Sequence, residues 1–288
     1  MSSFAHRFWQ YQKERFPLGI LLVTTSAVLL STAAVLQGLG YPEIPWWKYA
    51  ALGVAGLSFM LHTRIIDELR DKEVDDLHHP ERPLQRGLIT VQELTRLGYA
   101  NGGIFISIHV ALDPLSGVLS AGLLLYSIIA RYEVGPLAWL KPRFWLYNLV
   151  MLFQMVLLQW IAYAALTQSV DWPNAIWSHG WGILALSAQL EVARKCLTPE
   201  EETSYRDSYS SRIGPKGSAV LVFLLTLAAL FAFDSTGLPL NRGLLAAALG
   251  MLLAGLFLYG KNPIRRHSQL LQLSAVMAYV LCQMALWF

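Results

Sequence analysis

Charge is what this 288-residue sequence has least of: Asp, Glu, Lys and Arg make up only 14% of it, against 55% hydrophobic residues. A soluble domain carries about 25% charged residues, so the shortfall excludes an ordinary water-soluble fold and makes lipid the main solvent of the chain. Cysteine is nearly absent. Cys196 and Cys282 are far apart and form neither a CxxC motif nor a disulfide framework. A net charge of +3 is too small to argue for nucleic acid. Repeats and low-complexity tracts are missing, so the chain is read as one domain over residues 1–288. The segment Met1–Phe16 lacks the apolar core of a signal peptide. Its aromatic and basic residues (Phe4, Phe8, Trp9, Tyr11 and Phe16 with Arg7, Lys13 and Arg15) suit a helix lying at a membrane surface instead.

Long apolar runs are what the sequence does have. A spanning helix needs about 20 mostly apolar residues, and nine stretches qualify as candidates. They run from about Leu18 to Leu39, Trp46 to Asp67, Leu97 to Leu112, after Asp113-Pro114 to Ala130, Phe144 to Gln168, Trp172 to Leu190, Gly217 to Phe233, Leu244 to Tyr259 and Ser268 to Phe288. The predicted class is all-α: a polytopic membrane protein with nine transmembrane helices in one bundle. Nine spans put every Lys and Arg except Lys48 and Arg242, of 22 in all, on the side of the N-terminus. The positive-inside rule makes that side cytoplasmic. Trp46, Trp47, Trp145, Trp172 and Trp287 near span ends fit an aromatic belt.

Acidic residues gather after the second span. From Arg64 to Gly87 the chain reads RIIDELRDKEVDDLHHPERPLQRG. Asp67, Asp71 and Asp75 are four apart, which places them along one helical stripe that continues the span. Carboxylates so placed repel one another unless a cation sits among them. Hard oxygen ligands with open positions are what Mg²⁺ needs when it bridges to phosphates. Arg70, Lys72, Arg82 and Arg86 add donors suited to phosphate oxygens. The same spacing also suits a solvated loop stitched by i,i+4 pairs.

Asp67-x-x-x-Asp71-x-x-x-Asp75, followed by Arg82-Pro83-x-x-x-Gly87, resembles the first signature of the UbiA superfamily of intramembrane prenyltransferases. It also lies where that family has it, in the cytoplasmic loop after the second of nine helices. The family usually begins the signature with Asn, where this chain has Asp67. The resemblance implies a second acidic site after the sixth helix. Here that loop, Glu191 to Gly214, holds Glu200, Glu201, Glu202 and Asp207 in place of two Asp four apart. Ala193-Arg194 before an acidic cluster is similar to the archaeal glycerol-ether branch.

What the resemblance implies is a Mg²⁺-dependent enzyme that ionises an isoprenyl diphosphate and passes the prenyl group to an aromatic or lipid acceptor, with cytoplasmic loops capping the active site. Metal ligands would be Asp67, Asp71, Asp75, Glu202 and Asp207, with Glu191 and Glu201 as further candidates. Diphosphate donors would be Arg70, Lys72, Arg82, Arg194, Lys195 and Arg212. Phe59, Tyr99, Phe105, Tyr147, Phe153, Trp160 and Trp181 are candidates to face a carbocation, or are packing. No nucleophilic side chain is required, and His62, His78, His79 and His109 lack a zinc-type spacing. The dense negative run from Glu200 to Asp207 is expected to order around bound cation and to act as a lid. Two alternatives remain at this point: a UbiA-type terpene cyclase that needs no acceptor, and a transporter, whose charges would mark a path through the membrane.

Overall fold

Without water to satisfy it, the backbone of a spanning segment must bond to itself, and helices are the simplest solution. The computed structural model describes residues 3–132, 139–140, 142–202 and 208–287, and the described residues form eleven helices and no strand. In chain order they are α1 (Phe4–Arg15), α2 (Leu18–Gly38), α3 (Trp46–Arg70), α4 (Lys72–His78), α5 (Val91–Leu112), α6 (Pro114–Tyr132), α7 (Phe144–Thr167), α8 (Asn174–Arg194), α9 (Tyr209–Asp234), α10 (Arg242–Lys261) and α11 (Arg265–Met284).

Six of these, α2, α3, α6, α7, α9 and α10, are long and apolar enough to cross a membrane. The third, sixth and ninth expected spans correspond to α5, α8 and α11, which are long enough but more polar. Part of that polarity is buried against protein. Gln189 of α8 and Gln283 of α11 have no exposed surface, and Gln189 Nε2 donates to the Ala275 carbonyl of α11 at 3.3 Å. A polar side chain that faces a neighbouring helix costs less in lipid than one that faces the hydrocarbon.

Local chemistry sets the helix ends. Thr90 and Glu93 close a capping box at the start of α5. The break between α5 and α6 falls at Asp113, as the Asp113-Pro114 pair predicts. Asp113 is extended (φ −164°, ψ 128°), as a residue before proline tends to be, and its carboxylate accepts from Ser116 N at 2.7 Å. The helix α9 is broken near its start by Gly214 (φ 73°, ψ 166°), followed by Pro215.

The helices group into two compact units. The first comprises Met1–Thr25, Ile44–Gln154 and Ala164–Gln168. Within it α3 packs on α5 and α6, and α5 on α6. Ser58 and Asn101 exchange hydrogen bonds between α3 and α5, and His62 meets Ser127 of α6 at 2.8 Å. The second unit comprises Ser26–Glu43, Met155–Tyr163 and Ser169–Phe288. In it α8 packs on α9 and α11, and α10 on α9 and α11. Here Ser31 Oγ donates to Gln283 Oε1 at 2.5 Å, His179 meets Ser31 at 3.0 Å and Tyr163 at 2.8 Å, and Gln159 donates to Thr32 at 2.9 Å. Small residues let these helices come close: a Cβ on Gly182 would lie 2.2 Å from the Phe233 ring.

Candidate functional site

The acidic stripe is built where α3 runs out. Asp67 lies in its last turn, Asp71 caps its end, and Asp75 sits on the short helix α4. The chain bends at Asp71 (φ −86°, ψ 2°), so the stripe is not one continuous helix. The helical bonding pattern nevertheless passes through the bend: Asp71 N donates to the Asp67 carbonyl at 3.0 Å and Asp75 N to the Asp71 carbonyl at 2.8 Å.

Each of the three carboxylates holds an arginine. Asp67 accepts from Arg131 Nε at 3.0 Å, and Arg70 lies 3.9 Å from it. Asp71 takes both prongs of Arg70, at 2.6 and 2.8 Å, a bidentate fork. Asp75 pairs with Arg82 and is nearly buried, its side chain 6% exposed. Arg70 also bonds the Tyr147 hydroxyl. Arg131, at the end of α6, is itself buried and donates to Gln154 at 2.7 Å. Lys72 stands apart, paired at 2.5 Å with Asp76 at the surface.

The Arg-Pro-x-x-x-Gly part of the signature has a backbone reason. After Pro83 the chain turns so that Leu88 N donates back to the Pro83 carbonyl at 2.9 Å, and Gly87 sits at φ +75° to allow it. A residue with a Cβ is strained there. The turn holds Arg82 beside Asp75.

A clamp from α1 fixes the same region. Tyr11 is buried in a cluster with Ile65, Leu84, Ile89 and Leu94. Arg7 forks onto Glu93 at 2.5 and 3.0 Å, Arg86 onto Glu14 at 2.7 and 3.0 Å, and Arg15 reaches Glu68 at 2.6 Å. Glu68 is buried and also pairs with Arg64. The bond from Arg7, helped by the Thr90 amide, pulls the Glu93 carboxyl down to about 2. Arg86 likewise lowers the Glu14 carboxyl. This clamp, like the roles of Arg131 and Gln154, was not read from the sequence, where Arg131 figured only as one of the basic residues on the N-terminal side.

The second acidic loop belongs to the other compact unit. Glu191, on the last turns of α8, is held by Arg194 at 2.8 Å and by Lys195 at 3.1 Å. Lys195 also lies 6.0 Å from the centre of the Tyr209 ring. Glu202 accepts from Ser208 at 2.5 Å and Ser210 at 2.6 Å, the residues that open α9. Glu201 caps the turn at Thr198 and lies 3.6 Å from Arg265. The carbonyls of Cys196 and Leu197 take hydrogen bonds from Ser268 at 2.6 Å and Tyr259 at 2.7 Å. The first half of the loop is therefore held by polar contacts, which its sequence did not reveal. Burial pushes the Cys196 thiol up to about 11, which leaves it unreactive. Arg212 is exposed, and Asp207 lies outside the described residues.

The donor set around Asp67, Asp71 and Asp75 is all carboxylate oxygen, the chemistry that a hard divalent cation takes. Among the described residues, however, no three His, Cys, Asp or Glu side chains stand close enough to hold a metal ion. Guanidinium groups fill the positive role in this arrangement. Of the aromatic candidates, Phe59 and Phe105 are buried against each other, with ring centres 5.5 Å apart, and serve the α3–α5 core. Tyr99 is 79% exposed, while Trp160 meets Trp177 and Trp181 edge to face.

Comparison with known proteins bears on this geometry. The sequence pattern of the UbiA prenyltransferase family matches residues 26–287. No curated protein matches the chain significantly. Among solved structures, a UbiA homologue from Aeropyrum pernix K1, in its apo form, superposes with a TM-score of 0.62 at 14% identity, covering 96% of this chain and 97% of the other. A digeranylgeranylglyceryl phosphate synthase superposes with a TM-score of 0.56 at 13% identity, covering 92% of this chain and 98% of the other.

Proposed function

The chain belongs to the UbiA prenyltransferase family, and from that premise we propose that it is a Mg²⁺-dependent intramembrane prenyltransferase, which ionises an isoprenyl diphosphate and transfers the prenyl group to an aromatic or lipid acceptor. It is an integral membrane protein with the UbiA-like helical fold. The finer reading is a single domain with nine spans, with the N-terminus and both acidic loops in the cytoplasm. Nine helices of at least 19 residues among the described residues support it, as does the one-sided distribution of Lys and Arg.

The observation that carries the proposal is the row of aspartate–arginine pairs, Asp67–Arg131, Asp71–Arg70 and Asp75–Arg82. Such pairs offer carboxylates to a cation and guanidinium groups to a polyanion at one place. In this reading Asp67, Asp71 and Asp75 hold Mg²⁺, and Glu202 and Asp207 supply further ligands, with Glu191 and Glu201 beside them in sequence. Bound Mg²⁺ supplies positive charge against the diphosphate as it leaves. In the same reading Arg70, Lys72 and Arg82, with Arg194, Lys195 and Arg212, supply charged donors to the phosphate oxygens. Apolar helices keep water from the allylic cation, and no protein nucleophile takes part.

The test is mass spectrometry of products from purified protein given prenyl diphosphates of several lengths, with and without an acceptor mixture. A prenylated acceptor that needs Mg²⁺ is expected. The irregular second acidic loop favours one other reading, internal cyclisation. A terpene formed from the diphosphate alone establishes that instead, and movement of substrate across liposomes without turnover overturns both.

A further inference from the structure

A second feature of the molecule is independent of that chemistry. Between α9 and α10, within one compact unit, runs an apolar groove of about 540 Å³. Val220 and Phe223 line it from α9, and Leu253 and Phe257 from α10, at helical spacings that put them on facing stripes. Val220, Leu253 and Phe257 are each at least half exposed. Gly260 adds room, since a Cβ there would meet nothing within 4 Å. One end of the groove is marked by charge. Lys216 follows the Gly214-Pro215 break at the start of α9, and Lys261 is the last residue of α10, so both cations stand at the same mouth. Neither is in an ion pair among the described residues, and Lys261 lies only over the Phe257 ring, 5.9 Å from its centre.

We propose that this groove is a binding site for an anionic phospholipid, with an acyl chain along the apolar trough and the phosphate between Lys216 and Lys261. An apolar trough alone accepts any lipid tail. Two cations at its mouth, in no ion pair among the described residues, select a ligand that carries an anion on an apolar chain. Among the described residues the lining holds no carboxylate and no guanidinium. It therefore suits a singly charged phosphodiester better than a metal-bound diphosphate, which sets it apart from the aspartate–arginine row.

The experiment is native mass spectrometry of the full-length protein released from detergent, titrated with phosphatidylglycerol or phosphatidylcholine of matched chains. Wild type should retain phosphatidylglycerol at least about tenfold more tightly, given two lysines near the headgroup. The double variant Lys216→Gln/Lys261→Gln should lose that preference, and Lys216→Arg/Lys261→Arg should keep it. Gly260→Leu, which leaves both lysines in place, should weaken binding of both lipids by filling the trough. Circular dichroism and gel filtration confirm that each variant is folded, and either single lysine variant serves if the double one is not. Equal retention of the two lipids by wild type overturns the proposal. So does an unchanged preference in the glutamine variants, a dimer that excludes lipid, or displacement of phosphatidylglycerol by a prenyl diphosphate at lower concentration than the lipid itself.

Discussion

Replacing Asp71 and Asp75 with asparagine, one at a time, separates the chemistry of the site from its stability. The two side chains differ in exposure. Asp71 is 39% exposed and grips Arg70, which retains the Tyr147 hydroxyl if Asp71 is changed. Arg70 is 25% exposed, so the pair is half-buried and worth about 1 kcal/mol, the upper end for surface pairs, and Asp71→Asn should shift the thermal midpoint by only a few degrees. Asp75 is 6% exposed and its partner Arg82 is 25% exposed. Breaking a fully buried pair costs about 3–5 kcal/mol, and discounting for the exposure of Arg82 leaves about 2 kcal/mol. Asp75→Asn should therefore lower the midpoint measurably. If both carboxylates hold Mg²⁺, turnover falls at least about 100-fold in each variant, the scale seen when one charge-stabilising group is removed. The assay pairs diphosphate release across a Mg²⁺ titration with a thermal unfolding scan in the same detergent. Asp71→Asn within threefold of wild-type rate at low Mg²⁺ refutes the metal assignment. A fall in stability as large as that of Asp75→Asn refutes the reading of exposure.

Other outcomes follow from the same structure. Cysteines introduced at His78 and Ser204 should resist an impermeant thiol reagent applied outside intact cells; reaction of either places its loop on the wrong side. Gly87→Ala should destabilise the chain by about 1–2 kcal/mol, because φ +75° is costly for any residue with a Cβ, and an unchanged midpoint dismisses the turn as the reason for that glycine. The clamp from α1 should loosen in acid. The folded-state value of Glu93 is lowered to about 2 from an ordinary 4.5, so its contribution is complete above about pH 4.5 and is lost as pH falls toward 2. Hydrogen exchange across residues 4–15 should rise in that window, and less so in Arg7→Gln, where the pair is already gone. Exchange across residues 196–212 should slow when Mg²⁺ and a non-hydrolysable prenyl diphosphate analogue are bound; no change at demonstrated occupancy removes the second loop from the site.

Helices were legible in the sequence because lipid demands long uninterrupted apolar runs, and the Asp113-Pro114 pair marked even the closest boundary. Hydropathy spoke less clearly for α5, α8 and α11, since residues such as Gln189 and Gln283 are buried and each bonded through one amide atom to a neighbouring helix that a linear reading does not see. The aspartates were found by their spacing, but the spacing suggested one rod where the chain bends at Asp71. Their partners were only partly visible. Arg70 and Arg82 lie nearby in the chain, whereas Arg131 arrives from α6, and Tyr147 of α7 reaches Arg70. An arginine directly after an apolar run was the available signal, because such a charge must find an acid if the fold buries it. The clamp from α1 had no signal, since ordinary surface charges look the same before they are paired.

The row of aspartate–arginine pairs has a consequence for the order of events. A surface whose acids and bases neutralise each other projects little field, so it draws neither a lone cation nor a lone polyanion from a distance. A metal arriving alone must displace a guanidinium and leave it without a counterion; a diphosphate arriving alone strands a carboxylate in the same way. Only the two together exchange partners with every charge still matched. In the proposed reading the resting protein thus carries internal stand-ins for both ligands, and engages them as a pair.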